Sequence, residues 1–320
     1  MKIILILILI QFHFVSNLYS KNWRVNNSPG ISADFTTLQA AHDGATEGDS
    51  IYVEGSLTNY DNNGTVTISK KLNIIGPGYF LGQNPFTQAN KMEAKFNYLN
   101  FTTGSEGSSV MGLTVRTIDV NIPDVVVRRN HINTLRLRSE SFLVSQNFIT
   151  WTLSGTNCSG IVTNNIIRYT TINSNSSVSI FNNLFHYTGS NSLDVHNSEV
   201  RNNIIYGYTE NNLFAGGRNN TVTNNIFRQT GTDSDGNQFG QEVSSIILNE
   251  GSEDGKYLLT ENSVAKGSGL NGVDCGPFGG DSPYELSGIP PGPSIYEVNA
   301  PATASRAEGL PVSIKIYSHP

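Results

Sequence analysis

Four side chains able to move a proton or hold an anion recur at one position of a repeating pattern: Arg168, His186, Tyr206 and Arg228. Guanidinium, imidazole and phenol groups set side by side suit β-elimination on a uronate. In that reaction one group removes a proton next to a carboxylate while a cation neutralises the carboxylate. The following position carries Trp151, Tyr169 and Tyr187. Rings in such a row stack on the C–H faces of sugars, and Arg168 and His186 beside them suit carboxylate or sulfate groups. Rings at equal register also stack on one another for stability, as most columns of a repeat do. Trp151, Tyr169, Tyr187, Arg168 and His186 are thus the candidate ligand-binding set, and Arg168, His186, Tyr206 and Arg228 the candidate catalytic set.

Other chemistries find less support. Glycoside hydrolysis asks for two carboxylates facing each other across the scissile bond. Between Val125 and Phe227 the acids are Glu140, Asp194, Glu199 and Glu210, and no two share a position in neighbouring units. Asp194 and His196 lie on one strand face with no Ser or Cys placed to complete a relay. Arg136 and Arg138 form a basic pair, an anion contact or simply a solvated face. A second outward row, Arg128, Ser145, Thr163, Phe181, Arg201 and Thr223, spells no single chemistry. Asp233-Ser234-Asp235-Gly236-Asn237 looks like a calcium loop, but Gly236 and the missing later Glu depart from an EF-hand. That run is the sole hint of a cofactor, and no metal site is assigned.

The elements that carry these residues are six segments that align without a gap: Val125–Ile132, Phe142–Ile149, Gly160–Ile167, Val178–Phe185, Ser198–Ile205 and Asn220–Phe227. Each has an asparagine at its sixth place: Asn130, Asn147, Asn165, Asn183, Asn203 and Asn225. Three residues earlier stands a β-branched aliphatic (Val127, Val144, Val162, Ile180, Val200, Val222), which suits a strand and disfavours a helix. Two residues later stands a large apolar side chain. The asparagines lie 17, 18, 18, 20 and 22 residues apart, so the unit has a fixed core and a loop that tolerates insertion. Asn after a polar residue is turn chemistry, because Asn tolerates left-handed backbone angles. Each unit therefore reads as strand, bend, strand and loop. Such a unit cannot bury its apolar face alone and must stack, with strands about 4.8 Å apart. The repeated asparagines then sit above one another as a structural ladder.

On these columns the chain resembles the right-handed parallel β-helix (pectin lyase-like) superfamily over most of its length. The resemblance implies an all-β, right-handed parallel β-helix (solenoid) with an N-terminal capping helix, and carbohydrate as the ligand class. Ala33–Gly44 is similar to the opening segment of that superfamily: Asp34 as N-cap, Phe35, Leu38 and His42 on one face, Gly44 as stop. Gly272–Pro291 is similar to the closing segment of secreted β-helix proteins of Bacteroidetes. The Asn-Thr-Asp, Asp-Asp and Gly-His-Gly blocks of polygalacturonases are missing. So are the acidic calcium cluster and the Arg-x-Pro-x-x-Arg motif of pectate lyases.

Met1-Lys2 followed by Ile3–Ile10 reads as a signal peptide spanning residues 1–20, too short to cross a bilayer as a finished helix, so no transmembrane segment is expected after its removal. Residues 21–320 are expected to form one domain: cap at 33–44, regular coils at about 110–230, and a Gly/Pro-rich wrap at 266–300. Further coils are expected at Val66–Gly76 and Val110–Val115, a loop at 79–98, strands at Ile246–Leu248 and Tyr257–Leu259, and an edge strand at Val312–Tyr317. The 320-residue chain is 37% hydrophobic, and its 38 asparagines suit thin stacked coils better than a globule. A net charge of −6 with only 14% charged residues excludes a nucleic-acid partner and a polybasic membrane patch. Cys158 and Cys275 are expected to be unpaired. The expected function is a secreted or cell-surface protein that binds a polysaccharide along a coil face. A polysaccharide lyase, a glycoside hydrolase and a structural or adhesive spacer stand as alternatives.

Overall fold

The computed structural model describes residues 20–320 except 63, 190–191, 210–212 and 308. The expected leader thus lies outside the described residues apart from Ser20. Two long parallel sheets form the body. The first runs Asn22–Val25, Ser50–Val53, Asn73–Ile75, Ser109–Met111, Val126–Arg128, Phe142–Ser145, Ser159–Thr163, Ser177–Phe181, Glu199–Arg201 and Thr221–Thr223, each strand bonded to the next. The second runs from Thr65–Ile68 through Lys95–Phe101, Thr114–Val120, His131–Leu137, Phe148–Gly155 and Ile166–Ile172 to Leu184–Phe185, Ile204–Ile205 and Ile226–Phe227. The chain alternates between the sheets, so the fold is a parallel β-solenoid.

The repeat columns become rows of register partners. Val110, Val127, Val144, Val162, Ile180 and Val200 are successive partners in the first sheet, and all are buried. Val115, Ile132, Ile149, Ile167, Phe185, Ile205 and Phe227 do the same in the second. Each such side chain contributes about 1.5–3 kcal/mol through burial, and a coil can bury it only by stacking.

Between the rows run the asparagines. The backbone N–H of Asn147 donates to Asn165 Oδ1 at 2.8 Å, and Asn147 Nδ2 donates to the same oxygen at 3.0 Å. That amide also reaches Val127 O at 2.8 Å and Ser145 O at 3.0 Å. The same set repeats from Asn130 to Asn225, and all six side chains are buried. The ladder has one more rung than the sequence columns show: Asn225 N and Nδ2 both donate to Asn237 Oδ1 at 3.0 Å. The left-handed bend sits one residue before each rung, at Arg129, Gln146, Asn164, Asn182, Asn202 and Asn224, with φ between 52 and 57°. One coil earlier Gly112 takes that conformation at φ 71°, and Leu113 stands where the ladder would continue.

The helix is Leu38–Gly44, and its N-cap is Thr37, whose side chain accepts from Ala40 N, rather than Asp34. Asp34 instead accepts from Arg24 N at 2.8 Å, because the strand Asn22–Val25 precedes the helix and draws that carboxylate away. Residues 76–94 are a loop, but Lys95–Phe101 is a strand of the second sheet rather than part of it. The expected strands at Ile246–Leu248 and Tyr257–Leu259 do not form; 3-10 turns at Val243–Ser245 and Gly255–Tyr257 lead into a single antiparallel bridge, Ile247–Leu259, with flanking backbone hydrogen bonds such as Leu248 N to Leu258 O. The Gly/Pro-rich wrap ends earlier than 300. Gly292–Asn299 pairs antiparallel with Ser313–His319 as a two-stranded ribbon. Both cysteines are free and buried.

The C-terminal segment is a strap laid along the solenoid, and the bend residues hold it. Arg129, only 2% exposed, donates from Nη1 to Ile289 O at 2.7 Å and from Nη2 to Pro320 O at 2.8 Å. Gln146 Nε2 donates to Ser282 O at 3.2 Å and also to Pro283 O, Asn164 Nδ2 to Pro277 O and Gly279 O at 3.0 and 2.7 Å, and Asn182 Nδ2 to Asp274 O at 3.0 Å. Asn202 Oδ1 accepts from Leu270 N at 2.8 Å. The residues just after each rung point outward, and the strap covers them. Phe148, Ile166, Leu184, Ile204 and Ile226 form a second apolar cluster with Ile246, Tyr257, Cys275 and Tyr284.

Candidate functional site

The outer face of the second sheet carries a register row running Tyr98, Thr117, Thr134, Thr152 and Tyr169. Counting from the rung asparagine puts Trp151 in that row, but the backbone does not. A register shift between Ile149 and Thr152 sets Thr152 opposite Tyr169 and leaves Thr150 and Trp151 on a bulge. A bulge re-aims the side chain it carries. Trp151 is 45% exposed, with its ring edge-on to Tyr169 at 6.0 Å, and Tyr169 continues to Tyr187 at 6.1 Å. Arg168 threads between them, its guanidinium 4.3 Å from the Trp151 ring centre and 5.1 Å from that of Tyr187. It has no hydrogen-bond or carboxylate partner among the described residues. Two aromatic faces thus hold a cation whose N–H donors are unspent, which is an arrangement able to take a planar anion bidentately.

His186 and Tyr206 do not join that patch. His186 turns onto Tyr257 of the strap, ring centres 5.4 Å apart, with Nε2 buried and unpartnered. Burial, with Lys256 and Arg168 nearby, holds its imidazole down at about 4, so it is neutral at pH 7. Tyr206 is 4% exposed, its hydroxyl has no partner, and burial pushes the phenol well above its ordinary value. Arg228, near Tyr206, is part-exposed. The candidate catalytic column is therefore divided, with Arg168 part-exposed on the aromatic face and His186 and Tyr206 under the strap.

Three other clusters resolve into structural pairings. Arg136 and Arg138 converge on the buried Asp119, at 3.4 and 3.0 Å, and Tyr98 donates to the same carboxylate at 2.6 Å, which raises the phenol. Asp194 and His196 are bridged by Arg218 Nη1, at 2.5 and 2.6 Å. Ser294, His319 and Glu285 have the spacing of a nucleophilic relay: Oγ to Nε2 3.1 Å, Nδ1 to Oε1 2.9 Å. Yet Phe86 O lies 3.1 Å from the same Nε2. A carbonyl can only accept, so that nitrogen donates to it and has no lone pair to activate Ser294.

In the run read as a calcium loop, both acceptor sites of Asn237 Oδ1 are taken by Asn225, and Asp233 Oδ1 accepts from Phe239 N at 2.8 Å. No group of three or more His, Cys, Asp or Glu side chains able to hold a metal occurs among the described residues. No helix among them is long and apolar enough to cross a membrane.

The row Arg128, Ser145, Thr163, Phe181, Arg201 and Thr223 is continuous in register on the outer face of the first sheet. Where the strap overhangs it, a cleft of about 310 Å³ opens between Phe181, Arg201, Leu270, Asn271, Asp281 and Ser282. Nothing in the sequence brings residues 270–282 to that row, since the contact joins segments far apart in the chain. Comparison of the chain with protein-family models, characterised proteins and solved structures finds no match.

Proposed function

We propose that this chain is a secreted or surface-exposed protein of the pectin lyase-like kind that binds an acidic glycan, uronate-bearing or sulfated, on the Trp151–Tyr169–Tyr187 face. The supporting observation is Arg168, stacked between Trp151 and Tyr187 with no protein partner among the described residues for its donors. Stacking fixes the guanidinium before any ligand arrives, so little rotamer freedom is lost on binding. A non-catalytic role fits better than elimination, because His186 and Tyr206, the imidazole and phenol of the column, are under the strap. The ladder and the leader pattern support the kinship and the export.

The chain has two tryptophans, Trp23 and Trp151, so a Trp23→Phe background isolates the second. Titration with polyuronate, sulfated and neutral polysaccharides is expected to change Trp151 emission with the first two only. Arg168→Ala is expected to abolish the change without altering the melting temperature. Silence with every polymer would reject glycan binding here and leave the spacer reading. Release of unsaturated products, seen by ultraviolet absorbance, would make the protein a lyase.

A further inference from the structure

We propose a second binding site, for one neutral or amine-bearing sugar ring, in the cleft between the strap and the outer face of the first sheet. The site differs from the aromatic face of the second sheet in both place and charge. Its floor is Phe181 with the Arg201 guanidinium lying 3.9 Å over the ring. Arg201, which lines the cleft, donates from Nη1 to Glu199 Oε1 at 2.9 Å, and its Nε and Nη2 have no protein partner among the described residues. Opposite stand Asp281 and Ser282 of the strap. Asp281 is exposed and has no hydrogen-bond or ion-pair partner among the described residues.

The wall is built before any ligand comes. Asn164 and Asn182 clamp the strap carbonyls at Pro277, Gly279 and Asp274, and Asn202 holds Leu270 N. These side chains are spent on the fold, so recognition falls to Arg201, Asn271, Asp281 and Ser282. A volume of about 310 Å³ is at the small end for ligand pockets and suits one ring rather than a polymer segment.

Charge selects among rings. Arg201 is already matched by Glu199, so Asp281 leaves the site with one uncompensated negative charge. An anionic sugar would face that carboxylate with no free cation to offset it. Hydroxyl groups suit both sides, donating to Asp281 and accepting from Arg201, and an ammonium group suits Asp281 further. The preference is therefore the reverse of that expected at Arg168.

Saturation-transfer NMR on the full chain carrying Trp151→Ala and Arg168→Ala, which removes the anion site of the aromatic face, tests this with glucose, glucosamine and glucuronate. Transfer to glucose and glucosamine is expected, with glucuronate at least tenfold weaker. Asp281→Ala should remove the discrimination against glucuronate, and Leu270→Trp, which fills the cleft from an exposed position, should abolish transfer to all three. Restoring Trp151 and Arg168 should add transfer to glucuronate alone and leave the glucose and glucosamine signals unchanged, which separates this site from the other. The proposal is overturned if neither glucose nor glucosamine shows transfer, if glucuronate binds as well as glucose, or if Leu270→Trp, folded by circular dichroism, leaves the signals intact.

Discussion

Asn165 sits mid-ladder, and its replacement measures what the ladder contributes. Its Oδ1 accepts from Asn147 N at 2.8 Å and Asn147 Nδ2 at 3.0 Å, and its Nδ2 donates to Val144 O, Thr163 O and Asn183 Oδ1 at 2.8–2.9 Å. In Asn165→Ala the side-chain amide of Asn147 keeps two carbonyl partners, Val127 O and Ser145 O, but its backbone N–H loses Asn165 Oδ1 in a fully buried place. One orphaned buried donor costs about 1–3 kcal/mol, and the lost bonds and small void add about as much again, so ~2–5 kcal/mol is expected. Asn165→Asp keeps the shape and the acceptor, but its second oxygen faces three acceptors where an NH2 group stood. It should therefore be worse than alanine at neutral pH although it is isosteric. Burial raises that carboxyl in the folded state, so the Asp variant should recover stability as pH falls through the raised value. Urea unfolding of the three proteins at pH 7.5 and 5 measures this directly. Equal stability of Asn165→Asp and wild type at pH 7.5, or a loss below about 0.5 kcal/mol for Asn165→Ala, would refute the account of the ladder as a load shared through buried donors.

Three other outcomes follow from the same geometry. His186, held at about 4 when folded and ordinary when unfolded, contributes stability that is complete above pH ~6.5 and is lost as pH falls toward 4. In His186→Phe that acid loss, about 3 kcal/mol at most, should shrink, as read from melting temperatures between pH 7 and 4. Asp49 is pushed up by burial, yet donors from Lys21, Thr46 and Trp23 outweigh this and hold it at about 2. Its contribution is present above the usual carboxylate range and disappears as pH falls toward 2, so Asp49→Asn should flatten the curve there and lower stability at pH 7. Arg129→Met removes two bonds that fix the strap and a third to Gln146, and about 2–4 kcal/mol should be lost, with hydrogen exchange rising first in residues 270–289 rather than in the coils.

The solenoid was legible because three columns repeat six times and each column has one physical cause: a β-branched strand residue, a bend with its rung, and an apolar inward residue. The extra rung, Asn237, escaped because it follows Asn225 by only 12 residues, a short closing turn in place of a full coil. Lys95–Phe101 escaped because Phe96, Leu99 and Phe101 are the buried residues, a spacing that breaks strict alternation. The aromatic face was half legible. Spacing named Trp151, Tyr169 and Tyr187, but a bulge leaves no mark in a residue count, and nothing periodic shows that a distant segment covers His186 and Tyr206. The cleft at Phe181 and Arg201 was invisible for the same reason: half of its wall comes from the strap.

The strap also acts as a ruler. Successive bend residues take successive strap carbonyls, from Ile289 at Arg129 through Ser282 at Gln146, Pro277 at Asn164 and Asp274 at Asn182, and then the Leu270 N–H at Asn202. Coil number and strap length are therefore locked to each other, although the clamped residues lie 68 to 160 apart in the chain. A coil duplicated in the body would displace every clamp beyond it by about 4.8 Å, more than one extended residue. Loops between coils are free to vary in length, whereas the count of coils is not free to vary unless the tail varies with it.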